Sequence, residues 1–97
     1  MEGEIAMKVR NMESLKGNPV PNQFILSGDN GETIFQSYST TIAVKKEGEI
    51  TLDKCYWNYS PTTSKYRSRF LHESTAKTKE KIKAGIYTLT DLNKGEE

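Results

Sequence analysis

The sequence predicts an α+β domain, an antiparallel meander sheet of four to five strands packed on one face by one or two helices. Three observations carry that expectation. Two apolar-rich runs flank Asn30-Gly31 in "QFILSGDNGETIFQSY", a pair that tolerates the positive φ angles of a tight hairpin turn. A second alternating pair, Ile42 and Val44 against Ile50 and Leu52, flanks "KEGE". The stretch "YWNYSPTTSKYRSRFL" then contains Ser60 and Pro61, a capping hydroxyl followed by a residue preorganised for the first helical position. Ninety-seven residues leave room for one core. With 34% hydrophobic and 28% charged residues, that core is thin, and the sheet is expected to be covered on one face and solvated on the other.

The elements follow in order. Residues 1–16 read as an N-terminal extension, because Ile5, Val9 and Met12 fit a helical face while Ile5, Met7 and Val9 alternate like a strand. A single α+β domain is expected over 17–93. "GNPVPNQ" removes two amide donors at Pro19 and Pro21 and favours an extended entry. Strands are expected near 23–28 and 33–38, joined by a two-residue turn. "SYSTT" holds no Gly or Pro, so residues 33–46 form either one long bent strand or two joined by a tight bend. A helix is predicted over about 61–73, and a second from Ser74 or Thr75 to Gly85, where a left-handed C-cap costs a glycine little. "IYTLTDL" reads as the last strand, and residues 94–97 as a frayed tail.

Composition narrows function by exclusion. One cysteine, Cys55, forms no intramolecular disulfide, which suits a reducing cytoplasm better than secretion. No apolar run approaches the ~20 residues that span a bilayer, and "MEGEIAMKVR" opens with acids where a signal peptide carries cations, so no membrane partner is expected. One histidine, His72, gives neither a zinc set nor a Cys–His nucleophile, and no "GxxxxGKS" or "GxGxxG" turn occurs. The expectation is a protein that is not an enzyme, with no cofactor, no metal and no small-molecule substrate.

The net charge of +1 is distributed unevenly. Residues 1–53, 54–84 and 85–97 carry −3, +6 and −2. The middle segment therefore has the footprint of a polyanionic partner or of an ordinary lysine-rich solvated surface. On a helical wheel Thr63, Tyr66, Phe70 and Leu71 share one arc, and Lys65, Ser68, Arg69 and His72 the other. Arg67 projects from the apolar arc, so it is expected to pair with an acid (Asp53, Glu73 or Asp91), to bury its stem with an exposed head, or to meet a phosphate. Lys77, Lys79, Lys81 and Lys83 point in four directions around the second helix, where Ile82 is the one strong apolar anchor. Tyr56, Trp57 and Tyr59 precede the first helix at a spacing that, in a strand, sets Trp57 and Tyr59 on one face and Tyr56 on the other. Exposed rings beside cations suit single-stranded nucleic acid, because bases stack while Lys and Arg neutralise phosphates. The same pairing also serves protein interfaces.

"GNPVPNQF", "FQSYSTTIAV", "YWNYSPTTSKYRSRFL" and "IKAGIYTLTDLN" together resemble a family of small, uncharacterised domains encoded by bacteriophages and related mobile elements. The resemblance implies a setting, an infected bacterial cytoplasm, and no mechanism. The leading expectation is a binding module that engages nucleic acid, or a host complex containing it, through Tyr56, Trp57, Tyr59, Lys65, Arg67, Arg69, Lys77, Lys79, Lys81 and Lys83. The alternative is an inhibitor that occludes a host protein, such as a defence nuclease or part of the transcription machinery, with carboxylates of the acidic N-terminal half mimicking nucleic acid. Unprotected sheet edges leave a homo-oligomer open as a third reading.

Overall fold

The computed structural model describes residues 8–93. Six strands and two helices follow in the order β1 (Lys8–Glu13), β2 (Pro19–Ser27), β3 (Thr33–Ser37), β4 (Thr40–Lys46), β5 (Glu49–Asp53), α1 (Pro61–Leu71), α2 (Thr75–Lys83) and β6 (Thr88–Thr90). The strands lie side by side in chain order. Pairings β1 to β5 are antiparallel and β5–β6 is parallel. The α+β class and the helix-covered sheet match the sequence expectation, while the sheet has six strands and mixed direction. The two helices form the crossover that a parallel neighbour needs, so the last strand returns in the direction of β5. The expected domain start at residue 17 is also corrected, because β1 is hydrogen-bonded to β2 through Lys8–Ser27, Val9–Leu26, Arg10–Ile25 and Asn11–Phe24. The tail expected at 94–97 lies outside the described residues.

The turns show how local sequence sets register. Gly28 donates its amide to the Glu32 carbonyl at 3.0 Å, and Gly31, at φ 85°, closes a three-residue loop instead of the expected two-residue turn. At the next hairpin Lys46 pairs with Glu49, and Glu47 and Gly48 hold φ 55° and 81°, both in the left-handed region of a two-residue turn. Between them, Tyr38 and Ser39 alone reverse the chain from Ser37 to Thr40, so residues 33–46 form two strands.

Phe35 opposes Ala43 and Gln36 opposes Thr41, which leaves Ile42 as the extra residue of a bulge. Ile42 and its neighbour Ala43 are both fully buried in the core. With Met12, Ile25, Phe35 and Leu52 they meet Tyr66, Phe70 and Leu71 of α1, and Tyr87. The Phe35 and Phe70 rings lie 5.8 Å apart. Burying a Phe of this kind contributes roughly 2–3 kcal/mol. The other face carries Val9, Leu26, Ile34 and Val44 in one cross-strand row. None of these four belongs to the core cluster.

Candidate nucleic-acid interface

Asp53 ends β5 and builds the loop that presents the aromatic residues. Its Oδ2 accepts the amides of Cys55 (3.0 Å) and Tyr56 (2.8 Å), while Oδ1 accepts the Leu92 amide (2.8 Å) and the Asn93 side chain (3.0 Å). A carboxylate that captures the amides after it competes with the sheet ladder. Residues 54–58 are therefore a turn, and the strand alternation expected for Tyr56, Trp57 and Tyr59 does not occur. Tyr56 and Tyr59 are 40% and 53% exposed and meet edge to face at 5.2 Å. Trp57 is half-buried against the core.

Helix α1 starts as expected, with the Ser60 hydroxyl accepting the Thr63 amide at 3.1 Å and Pro61 at the first position. It ends at Leu71, two residues before the expected 73, because His72 takes φ 60° and the amides of His72 and Glu73 both turn back to the Ser68 carbonyl. Buried on it are Thr63, Tyr66, Arg67, Phe70 and Leu71, the apolar arc of the wheel with Arg67 inside it. Lys65 and Arg69 lie over the Tyr66 ring, at 5.3 and 5.6 Å from its centroid.

Arg67 has 0% exposure, so a phosphate contact is ruled out in this fold, its head is not exposed, and it forms no ion pair with an acid among the described residues. Its Nη1 donates to the Trp57 carbonyl (2.8 Å) and Asn58 Oδ1 (3.0 Å), and Nη2 to Ser68 Oγ (3.1 Å) and Thr75 Oγ1 (2.7 Å). Its guanidinium lies 5.1 Å from the Trp57 ring centroid. Burial pushes the Arg67 pKa down, and the charge of Glu73 pulls part of the way back. The misplaced cation of the sequence is a structural tie between the aromatic loop, α1 and the start of α2.

Helix α2 is capped by Ser74, whose hydroxyl accepts the Lys77 amide at 3.1 Å. It closes through Gly85, whose amide reaches the Ile82 carbonyl while the Ile86 amide reaches that of Lys81. Thr78 is its one buried residue, and Ile82 packs against the core. The four lysines separate in role. Lys77 pairs loosely with Glu80 at 3.6 Å, and Lys81 pairs with Glu73 at 2.9 Å. Lys79 and Lys83 instead flank an open hollow of about 430 Å³ that they line with Trp57, Ile82 and Glu80. Arg69 is brought to a different place. With Arg10 and Lys45 it borders a groove of about 570 Å³ between α1 and the sheet, floored by Met12, Ile25 and Phe70. The ten expected binding residues thus do not form one face.

One cluster was not visible in the sequence. Glu73, with a side chain 7% exposed, accepts from Thr78 Oγ1 (2.6 Å), Lys81 Nζ (2.9 Å) and the Tyr87 hydroxyl (2.9 Å). Burial pushes its carboxyl up, but the three hydrogen bonds and the Lys81 charge outweigh burial and hold it below the ordinary 4.5. Its members stand 5, 8 and 14 residues from Glu73, and Glu73 and Tyr87 lie outside α2 on either side of it, so no single element's period joins them. Asp53 likewise gave no periodic signal. Cys55 and His72 are exposed, and among the described residues no three His, Cys, Asp or Glu side chains gather to hold a metal ion. No helix among them is long and apolar enough to cross a membrane.

No curated protein and no solved structure matches this chain. A family model does, over residues 7–85, which include five of the six strands and both helices, and the chain belongs to that family, DUF8033, a family of unknown function.

Proposed function

We propose that the protein is a binding module for single-stranded nucleic acid, centred on the Trp57 hollow. The observation that carries this reading is the convergence of Trp57, Lys79 and Lys83 on one open cavity of about 430 Å³. A base enters against the indole, and phosphates on either side meet the two lysines. Tyr56 and Tyr59, exposed in the same loop, extend the stacking surface. Stacking on such rings is worth roughly 1–3 kcal/mol per base and tolerates any sequence. Lys65 adds charge from α1. The setting of an infected bacterial cytoplasm rests on the sequence resemblance alone.

The reading as an occluding inhibitor has less support. Of the carboxylates that would mimic nucleic acid, Asp53 is buried. Glu32, Glu47 and Glu49 stand on two hairpin turns at one end of the sheet, but Lys45 and Lys46 are interleaved with them, and Glu13 lies at the other end of β1.

Trp57 is the chain's single tryptophan, so its emission reports stacking directly. Titration with oligo-dT and oligo-U at low salt is expected to quench it saturably, with affinity that falls as salt rises. Each lysine–phosphate contact contributes a log–log slope of about 0.7 on a single strand. Lys79→Gln with Lys83→Gln is therefore expected to reduce the slope by about 1.4. Absence of binding at low salt, or binding with unchanged emission and slope, overturns the proposal.

A further inference from the structure

We infer that Tyr38 is a further stacking residue for the bound strand, presented to it by a strained turn. Four described residues other than glycine have positive φ: Asn22 (67°), Tyr38 (56°), Glu47 (55°) and His72 (60°). Asn and His are among the side chains that enter the left-handed region most readily, and Glu47 shares a turn with Gly48 that needs two such angles. Tyr38 is the bulky one. It is the first of the two residues between Ser37 and Thr40, and Ser39 does not share its positive φ. A single positive φ at that first position is the pattern of a type II′ turn, where glycine is the favoured residue. The conformation is fixed from both sides, because the Tyr38 amide donates to the Asn22 carbonyl at 2.7 Å and the Tyr38 carbonyl accepts from the Gln36 side chain at 2.8 Å. Strained residues persist where their surroundings over-determine them, and they gather at ligand sites.

The side chain contributes nothing to the fold that offsets this strain. Its ring is 57% exposed and outside the core cluster, and among the described residues the ring meets no other ring and the hydroxyl makes no hydrogen bond. A glycine would form the turn at lower cost, so the ring serves something outside the protein. Position says what. The turn lies at the end of the sheet where β5 finishes in Asp53 and the aromatic loop begins. Asn93 ties the two together: its Oδ1 accepts the Thr41 amide at 2.7 Å, and its Nδ2 donates to the Thr41 carbonyl (2.9 Å) and to Asp53 Oδ1 (3.0 Å), while Asp53 Oδ2 holds the Tyr56 amide (2.8 Å). One to two strand spacings, ~5–10 Å, separate the turn from Asp53. That is short against a single-stranded site, which on one OB domain covers roughly 4–16 nucleotides. Ser37 and Ser39 beside Tyr38 carry no charge, so the contact is made by the ring to a base and not to a phosphate.

The inference rests on the reading of the Trp57 hollow as a single-strand site, and one titration separates the two. Oligo-dT of about 12 nucleotides is added to the full chain at several salt concentrations and followed by Trp57 emission. Tyr38→Gly is expected to weaken binding at least ~5-fold, the loss of one stacked base, with the salt slope unchanged because no phosphate contact is removed. In urea the same variant is expected to raise the folded-to-unfolded ratio about 2- to 5-fold, since the turn loses its strain. Tyr38→Phe keeps the ring and is expected to bind as the unsubstituted chain does. A merely structural role moves affinity and stability down together, so their opposite signs are the signature. Unchanged affinity in Tyr38→Gly overturns the inference and leaves the Trp57 reading standing. So does a loss of stability in Tyr38→Gly, or a loss of affinity in Tyr38→Phe equal to that in Tyr38→Gly. Absence of binding by the unsubstituted chain overturns both.

Discussion

Arg67 offers the sharpest test of how this fold is held. It is the largest fully buried side chain, and its four hydrogen bonds go to a carbonyl, an amide oxygen and two hydroxyls. Hydrogen bonds to a charged group are worth about 1.5–3 kcal/mol each, but desolvating the guanidinium takes back several kcal/mol. The net value is therefore far below the sum of the bonds. Arg67→Ala removes the bonds, opens a cavity and orphans the Trp57 carbonyl, and is expected to cost ~3–5 kcal/mol. Arg67→Met refills most of the volume and removes the buried charge. The Trp57 carbonyl still loses its donor, but the Ser68 and Thr75 hydroxyls can rotate to new partners and Asn58 Oδ1 keeps its bond from Ser64, so the expected cost is ~1–2 kcal/mol. Arg67→Lys keeps the charge but lacks the fork that reaches both pairs of acceptors, and is expected to cost ~2–4 kcal/mol. Urea unfolding followed by far-UV circular dichroism measures all three, and Trp57 emission reports whether the loop moves. The informative quantity is the order, Met mildest and Ala worst. If Lys is tolerated better than Met, charge and not fork geometry holds Arg67, and the reasoning fails.

Two further outcomes follow from backbone and titration. His72 caps α1 at φ 60°, a conformation that strains a side chain but not a glycine, so His72→Gly is expected to raise stability by ~0.5–1 kcal/mol in the same urea assay. The folded Glu73 carboxyl titrates below 4.5. Its contribution is therefore complete above that value and lost as pH falls through the lower folded pKa. Lys81 and Tyr87 are both raised, Lys81 chiefly by its bond to Glu73 and Tyr87 chiefly by burial. Their contributions are complete below 10.5 and 10.0 respectively and are lost as pH rises beyond them. Glu73→Gln is expected to cost ~1–3 kcal/mol at pH 7 and to flatten the acid limb of the stability profile; an unchanged acid limb would refute the assignment.

What was legible in the sequence was local. Ser60, Pro61 and Gly85 mark helix ends because their signals act within a few residues, and the apolar arc of α1 follows from period alone. Asn30-Gly31 and Glu47-Gly48 mark hairpins for the same reason, although the first closes with one more residue than expected. Strand β1 was ambiguous because helical and strand periods coexist around Val9, and pairing with β2 decides between them. The direction of β6 depends on where a two-helix crossover delivers the chain, which no residue of "IYTLTDL" encodes. For Tyr56, Trp57 and Tyr59, alternation misled because the Asp53 carboxylate captures the amides that a strand would need. Of the ten expected site residues, Arg67 is buried and Arg69 faces the groove with Arg10 and Lys45, while Trp57, Lys79 and Lys83 converge. That convergence depends on how α2 is seated, a long-range contact with no sequence period.

The seating of α2 links stability to the proposed site. The helix buries only Thr78 and contributes one apolar anchor, Ile82, so hydrophobic burial holds it weakly. Polar bonds fix it instead, Arg67 at its first residue Thr75 and Glu73 at Thr78 and Lys81. Arg67 also holds the Trp57 carbonyl, so one buried cation sets both walls of the hollow, the indole and the helix that carries Lys79 and Lys83. Buried charges of this kind add little net stability, but the four directed hydrogen bonds of Arg67 join the loop, α1 and the start of α2 at one point. In each case the charge is consumed inside the protein: Arg67 by neutral acceptors, Lys81 by Glu73. Lys79 and Lys83 have no carboxylate partner among the described residues, which leaves the cations at the hollow free to meet phosphate while the cations behind it hold the hollow in shape.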